Sequence, residues 1–218
     1  MPLRSPAFTH AYSQPDAYHF CQDSVLAPKL IAMDLAEWAT GANLRALDVC
    51  AGCGVMGFEL LEALKTKLFQ TKRFARFDFL ELQPDFATHF EANRKITATS
   101  NAHFIADSYC VLQTDTYSQM YDLIIANPPY FQKGEGTLSA NDINNRARFF
   151  LDDNANILLK GIRNALKVGA RAYVLMKSGK KHGRDAFTSA RVELFDCLVE
   201  RFADVRGTDL IRITRLEI

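Results

Sequence analysis

The stretch Leu47-Asp48-Val49-Cys50-Ala51-Gly52-Cys53-Gly54-Val55-Met56-Gly57 decides how the rest of the chain reads. An aliphatic run over 45–50 passes into a glycine turn, and the turn opens a helical pattern over 57–69 with Phe58, Leu61, Ala63, Leu64 and Leu68 on one side. In open α/β sheets ligands bind beyond the carboxyl ends of strands, where glycines let the backbone approach a group that a Cβ would exclude. Gly52, Gly54 and Gly57 also satisfy a dinucleotide fingerprint, so NAD is one reading. Asp48 argues against it. A carboxylate at the strand end would repel a pyrophosphate and suits a cationic or zwitterionic ligand.

Outward from this stretch the rhythm repeats. Short aliphatic or β-branched runs over 77–82, 103–106, 122–126, 170–177 and 210–217 predict strands. Patterns over 85–95 (Phe86, Phe90) and 152–167 (Leu158, Ile162, Leu166) predict helices between them. Such alternation implies βαβ units and a mostly parallel sheet. Two segments stand outside it. Residues 23–39 predict an amphipathic helix before the first strand, with Pro28 restricting where it starts, placed to cover the mouth of the sheet. From Arg184 a helix through Phe187, Ala190, Leu194, Cys197 and Leu198 leads to a short strand, a turn at Gly207 and a final strand, an antiparallel edge hairpin. The economical division is an N-terminal extension, 1–42, whose helix caps the site, and one domain over 43–218.

Composition narrows the class. Among 218 residues, 26 Lys plus Arg oppose 25 Asp plus Glu, which argues against a tail-driven polyanion binder and leaves room for a local basic face. With 48% apolar and 23% charged residues the chain is ordinary for a globular protein. The longest apolar runs fall far short of the ~18 residues that cross a bilayer. Residues 1–20, broken by Pro2, Pro6 and Pro15, lack the apolar run of a secretory signal, so no membrane and a cytoplasmic location are expected. Five unevenly spread cysteines predict reduced thiols. Cys50 and Cys53 spell C-x-x-C without a second ligand pair, and the five histidines are scattered, so no metal is expected.

Glu81 ends the second strand, where an acid can take both hydroxyls of a ribose. Asp107 follows the third and could accept from the exocyclic amine of adenine. With Asp48, three acids after three consecutive strands would line one crevice. After the fourth strand comes Ala126-Asn127-Pro128-Pro129-Tyr130-Phe131. Two prolines remove two backbone donors and fix φ, leaving the carbonyls of Asn127 and Pro128 free and rigidly aimed. Rigid acceptors suit an NH2 group. A planar amine is a poor nucleophile because its lone pair is delocalised; accepting its hydrogens at the Asn127 side chain and a backbone carbonyl favours the localised pair, increasingly toward the transition state. Tyr130 would stack on the flat substrate.

Together Asp48-x-x-x-Gly52-x-Gly54, Glu81, Asp107 and Asn127-Pro128-Pro129-Tyr130 resemble the S-adenosylmethionine-dependent methyltransferases that act on planar amino groups. More narrowly, Gln22-Asp23-Ser24-Val25-Leu26 and Phe131 are similar to the bacterial tRNA adenine-N6 methyltransferases acting on adenine 37 of valine tRNA. The resemblance spans roughly 20–218. It implies an α/β, Rossmann-like class I methyltransferase fold, with a mostly parallel seven-stranded sheet and a C-terminal antiparallel hairpin. It implies S-adenosyl-L-methionine as cofactor, held by Asp23, Asp48, Cys50, Ala51, Gly52, Gly54, Glu81, Leu82, Asp107, Ser108 and Asn127. Catalysis would fall to Asn127, Pro128, Pro129 and Tyr130. The chain departs from the pattern at Cys50 and Cys53, where such turns commonly carry threonine, serine or glycine, so hydroxyl hydrogen bonds are missing there.

The implied substrate is RNA, tRNA first, for a monomer or weak homodimer. Lys177-Ser178-Gly179-Lys180-Lys181-His182-Gly183-Arg184, with Arg146 and Arg148, would grip phosphates at the rim. Residues 132–145 read as a polar substrate-facing loop. The rival readings are a release-factor-type glutamine N5 methyltransferase, an RNA guanine N2 methyltransferase, and a non-catalytic cofactor- or RNA-binding module.

Overall fold

The computed structural model describes residues 8–16, 18–38, 43–65, 74–132, 134–151, 154–178 and 185–217. The strand that feeds the glycine turn is Leu44–Val49 (β1), and its Ala46, Leu47 and Val49 have no exposed surface. Burial on both faces is what a parallel sheet between two helix layers requires. Phe74–Glu81 (β2), Ala102–Ala106 (β3) and Tyr121–Ala126 (β4) follow, then a two-residue pair, Phe131–Gln132 (β5) and Phe149–Phe150 (β6). Leu166–Met176 (β7), Cys197–Val205 (β8) and Thr208–Arg215 (β9) complete the strands. The main sheet runs β3-β2-β1-β4-β7-β9-β8; β9 is antiparallel to both neighbours and the rest are parallel. This is the expected mostly parallel, seven-stranded, Rossmann-like sheet with its C-terminal antiparallel hairpin. Strand order reverses between β1 and β4, and a crevice opens at their carboxyl ends.

Helices cover both faces. Asp23–Glu37 (α1), Val55–Leu64 (α2) and Phe86–Ile96 (α3) place Ile31, Leu35, Phe58, Leu60 and Phe90 against Ala46, Phe77, Phe79 and Ile125. Ala155–Ala165 (α5) and Ala186–Glu193 (α6) place Leu158, Ile162 and Ala190 against Leu47, Val49, Ile124 and Val174 on the opposite face. Each fully buried Phe or Leu contributes roughly 1.5–3 kcal/mol. The period-two alternation of β1 therefore feeds two apolar layers.

Several boundaries differ from the sequence reading. Helix α1 starts at Asp23, as read, with Pro28 inside it because the burial of Val25, Ile31 and Leu35 outweighs one missing backbone donor, and it stops at Glu37, two residues short of the reading. The helix lies on the sheet face beside α2 and brings only its first turn to the crevice. A helix, Asp142–Arg148 (α4), forms inside the segment read as loop, with the Asn141 side chain accepting from the Asn144 amide at its start. Helix α6 stops at Glu193, and Cys197 and Leu198, read as its last turns, already belong to β8. The hairpin turn is Arg206-Gly207, both at positive φ, the two-residue geometry that matches strand twist. The ends of the helices read over 57–69 and 152–167 reach residues outside the described ones, as do Gly179 to Arg184 of the basic run.

Candidate active site

The turn after β1 is built from left-handed residues: Cys50, Gly52 and Gly54 have φ of 58°, 53° and 81°. Gly57 sits one turn into α2, where an added Cβ would lie 2.4 Å from the Phe79 ring. Without one, the helix start closes onto the strands and the Gly57 amide donates to Asp48 Oδ2 at 3.0 Å. The Gly52 amide donates to Glu81 Oε2 at 2.8 Å and the Gln83 amide to Glu81 Oε1 at 2.9 Å. Glu81 thus ties the ends of β1 and β2 together.

Burial pushes the Asp48 carboxyl well above the usual carboxylate range, against the Gly57 amide, and Glu81 adds repulsion. Its Oδ1 is buried without a partner. Burial likewise raises Glu81, opposed by the amides of Gln83, Gly52 and Leu82. A buried, unpaired carboxylate oxygen beside a glycine turn is completed by a positive charge, and Glu81 keeps unused lone pairs for hydroxyl donors. This donor set fits a molecule carrying an ammonium and a ribose. Burial also pushes both turn thiols up, Cys53 to about 12, so they stand as neutral SH groups. Among the described residues no group of three or more His, Cys, Asp and Glu gathers as a metal site.

A cleft of about 690 Å³ opens over these groups. Of the residues expected at the cofactor, it takes Cys50, Gly52, Glu81, Leu82, Asp107 and Asn127, together with Pro129 of the catalytic motif. An adjoining recess of about 330 Å³ adds Asp48 and Ala51. Leu82, apolar yet 40% exposed, offers a flat ring a contact surface beside Asp107. Three expected residues line neither space. Gly54 packs under the turn against Phe58 and Phe90, where a Cβ would come within 2.9 Å of both rings. Ser108 caps the 3-10 helix Tyr109–Gln113, accepting from the Cys110 amide, while its own amide donates to Asp107 Oδ1 at 2.7 Å. Asp23 faces Tyr130, whose hydroxyl lies 3.2 Å from Asp23 Oδ2 and 2.9 Å from Asn127 Oδ1.

On the far side of the two prolines lies an apolar slot of about 260 Å³, lined by Pro128, Pro129, Tyr130, Phe150, Met176 and Lys177 among others. Pro129 and Phe150 border both slot and cleft. Arg146 lines the cleft, and Arg148 lies over the rings of Phe131 and Phe149, 5.9 and 5.6 Å from their centroids.

Several walls were not read from the sequence. Tyr18, edge-on to Phe86 at 5.4 Å, borders both cleft and recess, and Phe20 and Ser24 join the recess. The segment carrying Tyr18 is pinned from behind. Thr9 donates through its amide and hydroxyl to buried Glu59, and buried Asn93 binds both the Ser13 backbone and the Cys53 carbonyl. Tyr18 and Phe20, aromatic within a polar, proline-broken lead, were the available signal.

The chain matches no protein-family model and no curated protein sequence. Solved structures share its fold. PH1948 from Pyrococcus horikoshii, provisionally named an RNA methyltransferase, is 12% identical over 98% of this chain and 94% of its own, with a TM-score of 0.59. Ribosomal protein L11 methylase from Lactobacillus delbrueckii subsp. bulgaricus gives 11% identity, 94% and 84% coverage and 0.59. TrmN from Thermus thermophilus gives 15%, 89% and 0.56, and this chain spans about half of it, 52%. At these identities the likeness is one of fold, the fold of S-adenosylmethionine-dependent methyltransferases, and it extends to proteins named for RNA and for protein targets alike.

Proposed function

We propose that the protein is an S-adenosylmethionine-dependent methyltransferase acting on the exocyclic amine of a nucleobase, adenine N6 in tRNA before others. The observation that carries this reading is the position of the Asn127–Tyr130 turn. Its Asn127 borders both the cleft that holds Glu81 and the recess that holds Asp48, and its Pro129 lines that same cleft. The cofactor supplies a methyl group made electrophilic by its sulfonium.

The protein's own groups do the rest. Asp48 answers the cofactor's ammonium and Glu81 its ribose hydroxyls. Asn127 and the Pro128 carbonyl accept from the target NH2 and orient its lone pair, contacts that strengthen as the nitrogen becomes tetrahedral. No base is needed first, since the nitrogen loses its proton after transfer. Lys177 at the slot and Arg146 at the cleft set positive charge where an RNA backbone would run. Mass spectrometry of nucleosides from tRNA incubated with enzyme and cofactor tests the reading. N6-methyladenosine is the expected product, N2-methylguanosine would redirect it to guanine, and label in protein alone would favour a glutamine amide.

A further inference from the structure

The Tyr130 hydroxyl has two acceptors before it and one proton to give. It lies between the Asp23 carboxylate and the Asn127 amide oxygen, and the Thr208 hydroxyl is hydrogen-bonded to it as well. Asp23, 8% exposed, stands in the first turn of α1, where the helix end favours negative charge. A bond to a carboxylate is about twice as strong as one to a neutral amide, so the phenolic proton goes to Asp23. The Asn127 atom against the phenol must then be a donor. Turning the amide by half a revolution about its terminal bond supplies Nδ2 there. The phenol is then complete: it donates to Asp23 and accepts from Thr208 and Asn127. The same turn moves the Asn127 oxygen to the amide edge away from Tyr130. A target NH2 requires an acceptor on that edge; the NH2 end of Asn127 would repel it.

We propose that Asp23 is a positioning residue, which through the single proton of Tyr130 holds the Asn127 amide with Nδ2 against the phenol and Oδ1 toward the reacting amine. This rests on reading Asn127 as the residue that orients that amine. It assigns Asp23 to the chemistry rather than to the cofactor.

The test reads the amide itself. In protein labelled with 15N-asparagine, the Asn127 side-chain resonances are identified by their loss in Asn127→Ala. One Nδ2 proton should be shifted downfield and protected from exchange, and Asp23→Asn and Tyr130→Phe should each abolish that protection. With tritiated S-adenosylmethionine and unmodified tRNA transcripts, Asp23→Asn should lower kcat on the order of tenfold or more, the scale of one hydrogen bond to a charged group. Cofactor affinity should not change, and Asp23→Asn should cost nothing further in a Tyr130→Phe background. Unchanged Asn127 resonances in both variants would overturn the proposal, as would weakened cofactor binding at unchanged kcat. If wild-type protein labels no tRNA, the RNA reading fails while the amide resonances still decide this one. If Asp23→Asn does not fold, Tyr130→Phe alone carries the spectroscopic arm.

Discussion

The Asp48 carboxylate hangs from the Gly57 amide by one oxygen, 3.0 Å away, while its other oxygen is buried with no partner. A group held this way favours ligand binding at the expense of the fold. In Asp48→Asn the carboxamide oxygen keeps the Gly57 bond and the buried charge disappears. Thermal unfolding of the ligand-free protein should show Asp48→Asn within about 1 kcal/mol of the wild type, the relief of the buried charge being offset by an amide NH2 left without an acceptor. Calorimetric titration should show S-adenosylmethionine bound at least about tenfold more weakly. A variant that is both less stable and equally tight would refute this assignment.

The same carboxyls give a pH dependence with a definite sign. Burial raises both Asp48 and Glu81 above their unfolded values. Their contribution to stability is therefore fully present below the ordinary carboxylate range, near pH 4, and is lost as pH rises through the raised folded values. A positively charged ligand works in the opposite direction. S-adenosylhomocysteine, which keeps the ammonium that Asp48 answers, should gain affinity as pH rises through that window in the wild-type protein and not in Asp48→Asn. Equal pH profiles for the two proteins would count against a role for this carboxyl.

Gly57→Ala tests the seat of α2. The added methyl would lie 2.4 Å from the Phe79 ring and 3.0 Å from Asp48 Oδ2. Overpacking of this kind costs about 1–3 kcal/mol, while alanine's better helix propensity returns about 1. The urea midpoint should fall and the Asp48 contact should be displaced, so cofactor affinity falls with it.

Asp34 joins α1 to the sheet. Arg171 Nη1 donates to its Oδ2 at 2.9 Å, Arg212 Nη1 to its Oδ1 at 2.7 Å, and the Tyr173 hydroxyl also donates to it. Against burial, these partners hold its pKa below the usual range. Asp34→Ala leaves three donors without an acceptor. Removing one member of a buried pair costs 3–5 kcal/mol, and with both arginines about one-fifth exposed roughly 2–3 is expected from denaturant unfolding.

What could be read from the sequence was local. Strand ends, the glycine turn and the Asn127–Tyr130 motif are contiguous, and each carries its own stereochemical signature. The errors lie where two patterns overlap or where distance along the chain hides a neighbour. Phe187, Ala190, Leu194 and Cys197 keep helical spacing straight into β8, whose alternation is blurred by a register shift between Arg201 and Ala203. Helix α4 is polar except at Ile143 and Ala147, too few apolar positions to show a period, and is announced only by its Asn141 cap. Tyr18 and Phe20 reach the site because the segment that carries them is tied to Glu59 and Asn93, and no spacing in the sequence encodes that.

Strand β9 lies between two strands that precede it in the chain. Until it inserts, β7 has an open edge and β8 has no partner in the main sheet, since neither pairs with the other. As the polypeptide leaves the ribosome, the half built on β1 to β4 can consolidate early, while an apolar edge at Tyr173, Val174 and Leu175 waits for residues 208–215. Nascent chains are most exposed to aggregation or chaperone capture in that interval. Slowing translation just before residue 208 should lengthen it.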